Sequence, residues 1–206
     1  MSTRKVLVFG GSFNPPHRRH FLLAQQAAAA IGADEIRVIP AHTNPQRQDQ
    51  PPTAAHHREA MLRIAFHNEP RAVIDTQEIA RGGSSYTVDT LHNLRAQFPS
   101  AHLFLLLGGD QALNFYSWKD PQGILALATP VVVPRAPLNA AELLQHIAAR
   151  HDSATANMWR PWILQVRAEA ESSTQLRANI VAGAASDHAL IDPRVLAYIS
   201  QHKLYV

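Results

Sequence analysis

The chain has 206 residues, enough for one domain with a complete hydrophobic core. Hydrophobic residues make up 46% and charged residues 17%, and no apolar run is long enough to span a bilayer. The absence of cysteine excludes disulfides and thiolate chemistry, and the net charge of +3 is spread along the chain. We therefore expect a cytoplasmic protein with neither a membrane nor a nucleic acid as a partner.

The first predicted element is a buried strand that leads into two glycines. Residues 6–9 form an unbroken apolar run, as in a central parallel strand that is covered on both faces. Gly10 and Gly11 end this run and predict a sharp turn and a close approach of the backbone to a ligand. Two prolines then fit just before a helix or in its first turn, and this helix is predicted to end at Gly32.

Two histidines occupy the predicted start of that helix. His17 and His20 are three residues apart, so a helix places both rings on one face. Free N–H groups and the positive end of the helix dipole favour an anion there, and we interpret the segment as a phosphate site. Two alternatives stay open: exposed polar residues, or ligands of a metal site that could also draw on His42, His56 or His57.

Strand-like and helix-like segments alternate along the rest of the chain. This pattern predicts a single α/β domain over 1–206, with a Rossmann-like, doubly wound parallel sheet and a small helical C-terminal part at about 170–206. Further strands are predicted at 35–40, 72–75, 103–107, 130–134 and 162–168. Helices are predicted at 53–66, 87–98, 139–150, 173–182 and 193–201, with mobile loops at 43–52 and 149–161.

Ligands of open parallel sheets bind at the carboxyl ends of the strands. A second glycine pair, Gly108-Gly109, follows the most hydrophobic predicted strand and precedes Asp110. After the last predicted strand, the run Ser172-Ser173-Thr174 opens a helix that carries Arg177 about one turn later. Such hydroxyls are often only a helix cap, but together with the N-terminal segment they predict a second phosphate clamp that faces the first.

Four segments of the chain resemble a known enzyme family. The sequence GGSFNPPHRRH is similar to the GG(S/T)F(D/N)PxHxGH signature of the HxGH nucleotidyltransferases, and SSTQLR is similar to their late (I)SSTxIR signature. Between them, SSYTVDTL and LLGGDQALNFYSW resemble segments of nicotinate-nucleotide adenylyltransferases. The resemblance extends in the right order from residue 6 to residue 205.

The resemblance implies transfer of AMP from ATP to the 5′-phosphate of nicotinate mononucleotide, which gives the deamido form of NAD and pyrophosphate. Mg²⁺ is implied as the companion of ATP. The attacking group is itself a phosphate with a second pKa of about 6, so this chemistry needs no general base. It needs in-line placement of the reacting groups and neutralisation of phosphate charge.

The resemblance also implies roles for individual residues. It assigns His17, His20 and Arg177 to catalysis. The residues implied for ATP and its phosphates are Gly10, Gly11, Ser12, Phe13, Ser173 and Thr174, with Arg135 at the adenosine.

For the acceptor, the resemblance points to Thr87, Trp118 and Asp110. The helix start at Thr87 would receive the pyridine carboxylate, the Trp118 indole would stack on the ring, and Asp110 would bind ribose hydroxyls. Two alternatives remain: core packing for Trp118, and a helix cap for Asp110.

The chain departs from the family pattern at three places. Arg19 stands where the HxGH motif has glycine, Gln46-Arg47 where His-Lys is common, and Glu171 where isoleucine is usual. Two alternative functions therefore stay open. One is transfer to another phosphorylated acceptor, such as nicotinamide mononucleotide or phosphopantetheine, and the other is nucleotide binding without turnover.

Overall fold

Parallel strands form the centre of this computed structural model, which describes residues 3–46, 52–134, 138–165 and 190–205. Within these residues one sheet has five strands in the order β3-β2-β1-β4-β5, and every pairing is parallel. The strands are β1 (Lys5–Gly11), β2 (Glu35–Pro40), β3 (Ala72–Ile74), β4 (His102–Gly108) and β5 (Thr129–Val133). The strand order reverses between β1 and β4, so the predicted doubly wound, Rossmann-like sheet is confirmed.

Helices connect the strands and cover both faces of the sheet. Within the described residues they are α1 (Arg18–Ile31), α2 (Ala55–Ala65), α3 (Gln77–Arg81), α4 (Thr87–Gln97), α5 (Gly109–Leu113), α6 (Pro121–Leu127), α7 (Ala140–Arg150), α8 (Ser153–Trp159) and α9 (Pro193–Gln201). Short 3₁₀ turns lie at Phe115–Ser117 and Arg160–Trp162. In the part of the chain that the structure describes, no helix is long and apolar enough to cross a membrane.

Strand β1 is buried on both of its faces. Val6 and Val8 face one hydrophobic cluster, whereas Leu7 and Phe9 face the other. All four side chains are at most 5% exposed, and burial of each contributes about 1.5–3 kcal/mol to folding. The core therefore holds β1 firmly and fixes the position of the glycines at its carboxyl end.

The helix ends follow from local sequence signals. Gly32 adopts a left-handed conformation (φ +64°) at the end of α1, and its N–H reaches the carbonyls of Ala28 and Ala29. At the start of α7, the Asn139 side chain accepts from the Glu142 N–H at 3.0 Å, and Glu142 accepts from the Asn139 N–H at 2.8 Å. These two predicted boundaries are confirmed, as is the helix at Pro193–Gln201.

The strand predicted at 162–168 is wrong over its described residues. Pro161 lies in the 3₁₀ turn Arg160–Trp162, and after it only Ile163 forms a bridge, to Val132 of β5. The Leu164 N–H donates to the Val132 carbonyl at 2.8 Å, so the segment follows β5 for about one residue. Residues 166–168 and the predicted helix at 173–182 lie outside the described residues.

The loop predicted at 149–161 is also wrong, because α8 occupies its middle. Asp152 caps this helix by accepting from the Thr155 N–H at 2.6 Å. The fully buried Trp159 anchors the helix in the core, with its Nε1 donating to the Tyr116 hydroxyl at 3.1 Å. A helix cap and a buried tryptophan therefore accompany a helix where polar composition indicated a loop.

Candidate active site

A cavity of about 220 Å³ lies at the carboxyl ends of β1, β2 and β4, where the strand order reverses. Four predicted site residues line it together: Gly10, Gly11, Thr87 and Trp118. They come from three separate segments of the chain, which the parallel sheet brings to one edge.

The two glycines of this edge do not form the predicted turn. Strand β1 continues through Gly10 and Gly11, which pair with Ile39 and Pro40 of β2. A Cβ added to Gly10 would meet nothing within 4 Å, whereas one added to Gly11 would lie 3.0 Å from the Phe13 ring. The turn follows instead at Phe13 (φ +46°), so the glycines supply space rather than a change in chain direction.

The Phe13 side chain belongs to the hydrophobic core. It is 2% exposed, and its ring packs edge to face against Phe9 at 5.1 Å and against His20 at 5.0 Å between centroids. Only the main chain of residue 13 is therefore available to a phosphate. The neighbouring Ser12 is partly buried, and Asn44 Nδ2 donates to its hydroxyl at 3.4 Å.

His17 and His20 form one unit at the start of α1. His17 is the cap residue, and its main-chain N–H donates to Nδ1 of His20 at 3.2 Å. The two rings stack with centroids 3.7 Å apart. Because Nδ1 of His20 accepts this bond, a neutral His20 carries its proton on Nε2, where it can donate to an anion.

Arg19 adopts ordinary helical geometry beside this pair. It lies in the first turn of α1 and is not among the residues with positive φ. The backbone at this position therefore does not require the glycine that the family motif has there.

Thr87 and Trp118 line the same cavity as the glycines. Thr87 is the first residue of α4, and Trp118 directly follows a 3₁₀ turn. The indole packs on Phe115 at 5.7 Å between centroids and also lines the cavity, so the core-packing alternative and a cavity contact hold together. Among the described residues, Nε1 of Trp118 is buried and has no hydrogen-bond partner.

Asp110 lies at the same sheet edge but does not cap α5. The cap is Gly108, whose N–H donates to the Gln111 side chain at 3.1 Å. Asp110 stands in the first turn of α5 and is exposed, so the helix-cap alternative for Asp110 is wrong. Its role towards a ribose stays a prediction.

Two charged residues of the cavity were missed from the sequence. Glu78 is 6% exposed, and burial raises its pKa even though the Thr90 hydroxyl donates to it at 2.5 Å. Lys119 Nζ lies 3.1 Å from both carboxylate oxygens of Asp89 and 4.6 Å from the centroid of the Tyr86 ring. Glu78 lies in α3, a helix that the sequence did not predict. Lys119 directly follows the predicted site residue Trp118, and this position could have indicated that it lies at the site.

The histidines considered for a metal site have other contacts. His42 Nδ1 lies 3.1 Å from the Thr43 hydroxyl and 3.1 Å from the Gly83 carbonyl. The rings of His56 and His57 form a tilted contact with centroids 4.0 Å apart. The residues described by the structure contain no group of three or more His, Asp or Glu side chains that could hold a metal ion.

Several predicted residues lie outside the described part of the chain. They are Arg135, Ser173, Thr174 and Arg177 of the site, and Arg47 and Glu171 of the departures from the family pattern. Their roles stay predictions. Gln46 is described and lines the cavity, with its N–H donating to the Asn44 side chain at 2.9 Å.

Comparison with protein families gives a match over most of the chain. The family model described as cytidylyltransferase-like matches residues 8–179. A relative from Albidiferax ferrireducens, named probable nicotinate-nucleotide adenylyltransferase, is 38% identical over 202 residues, which are 98% of each chain. A relative of the same name from Chromobacterium violaceum is 37% identical over 209 residues, again 98% of each chain.

Solved structures show the same fold at lower identity. The Plasmodium falciparum nicotinic acid mononucleotide adenylyltransferase complexed with NaAD superposes with a TM-score of 0.75 at 18% identity, covering 98% of this chain and 97% of that one. The same enzyme complexed with APC gives a TM-score of 0.73 at 17% identity, with the same coverage.

Proposed function

The chain belongs to the cytidylyltransferase-like family and, within it, to the nicotinate-nucleotide adenylyltransferases, and from this membership we propose that it transfers AMP from ATP to nicotinate mononucleotide. The products are the deamido form of NAD and pyrophosphate. One observation carries the proposal to this site: the stacked pair His17 and His20 begins α1, and a loop of residues 12–16 joins this pair to the strand end whose glycines line the cavity.

The residues at the start of α1 stabilise phosphate charge in this proposal. Nε2 of His20 donates to a phosphate oxygen, and the N-terminal end of α1 adds its positive dipole. An oxygen of the acceptor's 5′-phosphate bonds to the α-phosphorus of ATP while the bond from that phosphorus to the bridging oxygen breaks. The departing pyrophosphate takes the electron pair. Nε2 of His20 and the start of α1 therefore stabilise the transition state most as negative charge develops on the pyrophosphate.

The cavity receives the pyridine ring and its carboxylate. The ring stacks on Trp118, and the free N–H groups at the start of α4, beside Thr87, face the carboxylate. Lys119 adds a positive charge at the same wall, which favours a carboxylate over a neutral amide. Glu78 also lines the cavity, and burial raises the pKa of its carboxyl group above the ordinary value.

The remaining assignments rest on the sequence signatures. Arg177, Ser173 and Thr174 hold the far phosphates of ATP in the proposal, and Arg135 contacts the adenosine. Mg²⁺ bound with ATP would have phosphate oxygens and water as most of its ligands, and it would supply positive charge that neutralises the phosphates. Asp110 is exposed at this edge of the sheet, and its carboxylate could be a ligand of such a cation.

A panel of acceptors tests the proposal. Purified protein with ATP and Mg²⁺ is given nicotinate mononucleotide, nicotinamide mononucleotide or phosphopantetheine, and pyrophosphate release is followed. The proposal expects the highest kcat/KM with nicotinate mononucleotide. Equal rates with the amide, or release with phosphopantetheine alone, would contradict the assigned acceptor, and binding of ATP without release would indicate a protein that does not turn over.

A further inference from the structure

A buried arginine of α2 connects three segments around the loop that joins β1 to α1. Arg58 is 1% exposed, and its Nε donates to the Thr53 carbonyl at 2.8 Å. Its Nη1 donates to the Ser12 carbonyl at 2.9 Å, and its Nη2 lies 3.5 Å from the His42 carbonyl. These acceptors belong to the segment just before α2, to the loop after β1 and to the segment after β2.

This guanidinium has no carboxylate to balance its charge among the described residues. Burial lowers its pKa, which reflects the cost of holding a charge away from water, and the nearby Tyr205 acts in the opposite direction. If Arg58 only filled space, an apolar side chain of similar size would cost less free energy to bury. Its guanidinium group instead contacts three main-chain carbonyls, and such contacts clamp three separate backbone segments together.

The end of the described chain contacts the same loop. The Tyr205 hydroxyl donates to Oδ1 of Asn14 at 2.7 Å, and the Thr53 N–H also points to this oxygen, at 3.3 Å. Helix α9 brings Tyr205 there because Val195 and Ile199 pack with Met61 of α2 in a separate hydrophobic cluster. A residue 191 positions away in sequence therefore holds the loop that precedes the histidine pair.

We propose that Tyr205 and Arg58 are positioning residues that hold residues 12–14 in the phosphate-binding conformation, so that the C-terminal segment sets the affinity of the enzyme for ATP. This inference rests on the proposed function, because it acts through Ser12 and through the main chain of that loop. Tyr205 touches neither substrate in this account. It fixes the Asn14 side chain, and Arg58 fixes the Ser12 carbonyl two residues earlier.

A pair of tyrosine variants tests the role of the C-terminal segment. Tyr205→Phe removes the hydroxyl that reaches the loop, whereas Tyr198→Phe removes a hydroxyl of α9 whose partner is Nδ1 of His57 at 2.9 Å. We expect Tyr205→Phe to raise KM for ATP about fivefold, as the loss of one buried hydrogen bond allows. KM for nicotinate mononucleotide and Tm should stay at wild-type values, and Tyr198→Phe should change neither KM.

The same experiment can overturn the inference. If Tyr205→Phe matches Tyr198→Phe in KM for ATP, or lowers Tm while KM for ATP stays unchanged, then Tyr205 is only structural. A double-mutant cycle of Tyr205→Phe with Asn14→Ala provides the second check. Non-additive effects on kcat/KM for ATP are expected, and additive effects would contradict a shared contact.

The arginine is tested by a conservative and a non-conservative variant. Arg58→Met leaves three carbonyls without a donor, and Arg58→Lys retains one donor and the charge. We expect the lysine variant to restore part of the ATP affinity that the methionine variant loses. Equal ATP affinity in both folded variants would contradict the clamp. If Arg58→Met does not fold, Arg58→Lys is compared with wild type, and an unchanged KM for ATP would contradict the clamp.

Failure of the inference and failure of the proposed function remain distinguishable. Wild-type protein that makes no dinucleotide would overturn the proposed function. Calorimetric titration of wild type, Tyr205→Phe and Tyr198→Phe with ATP and Mg²⁺ would then still decide the inference. Weaker binding confined to Tyr205→Phe supports it, and equal binding in all three proteins contradicts it.

Discussion

The Phe13 ring packs against Gly11 so closely that a Cβ added to Gly11 would lie only 3.0 Å from the nearest ring atom. Gly11→Ala should therefore displace Phe13 from its contacts with Phe9 and His20 and lower the free energy of unfolding by about 1–3 kcal/mol. Gly10→Ala is the matched variant, since its methyl group meets nothing within 4 Å but enters the space at the cavity wall. We expect it to unfold like wild type and to bind the acceptor several-fold more weakly. Urea unfolding and steady-state kinetics check both, and a stable Gly11→Ala would contradict the packing argument.

His20→Ala should remove the donor that faces phosphate charge. We expect kcat/KM to fall by about two to three orders of magnitude, as for the loss of one well-placed donor to a transition state. The helix start also loses the acceptor of the His17 N–H, so Tm should fall slightly. His56→Ala is the control, because His56 is exposed and its one ring contact among those described is a tilted contact with His57. Equal turnover in both variants would remove His20 from the mechanism.

Lys119→Met should reduce discrimination between the acid and the amide. The ammonium group lines the cavity, but it is half exposed and paired with Asp89, so its charge is partly screened. We expect the ratio of kcat/KM for nicotinate mononucleotide to kcat/KM for nicotinamide mononucleotide to fall several-fold. Most of this change should come from a lower kcat/KM for nicotinate mononucleotide. Arg150→Met, which removes an exposed cation from the last turn of α7, should leave this ratio unchanged. A ratio unaffected by Lys119→Met would show that the charge does not select the acceptor.

The acid stability of the protein should depend on Glu69. Arg71 donates to this carboxylate from Nε at 2.8 Å and from Nη2 at 3.0 Å, and this pairing holds the pKa of Glu69 at about 2 against the opposing effect of burial. Because the folded-state pKa lies below the ordinary 4.5, the contribution is present above pH 4.5 and is lost as the pH falls towards 2. Glu69→Gln should lower the free energy of unfolding at neutral pH by about 1–2 kcal/mol and flatten its acid dependence.

An exposed pair provides the control for that measurement. Glu59 accepts from Arg63 at 2.8 Å, with side chains 30% and 58% exposed, so Glu59→Gln should cost less than about 1 kcal/mol. Urea unfolding between pH 2 and pH 7 compares the two variants with wild type. An unchanged acid profile in Glu69→Gln would contradict the assignment.

The sequence was sufficient where local physics decides the structure. Apolar runs located β1, β2 and β4, and Gly32 and Asn139 marked helix boundaries, because burial and capping act within a few residues. The rule that ligands bind at strand ends located Gly10 and Gly11 at this edge, whereas the family resemblance indicated Thr87 and Trp118, and all four residues line the cavity.

Long-range contacts explain what the sequence did not reveal. Arg58 lies among polar neighbours on α2 and resembles a surface residue, yet carbonyls from distant segments bury it. From the sequence, Glu78 also resembles an exposed residue. In the structure the Thr90 hydroxyl donates to it, and it lines the cavity. The turn was expected at Gly10-Gly11, where glycine permits it, but packing of the Phe13 ring places the positive φ two residues later.

The most direct test of the account follows the α-phosphate of ATP. ATP with radioactive phosphorus in the α-phosphate is incubated with the protein, Mg²⁺ and unlabelled nicotinate mononucleotide, and the products are separated. The account predicts that the label appears in the dinucleotide, that pyrophosphate is unlabelled, and that His20→Ala abolishes most of the transfer. Label found only in ATP, or in ADP with no dinucleotide formed, would contradict transfer of AMP.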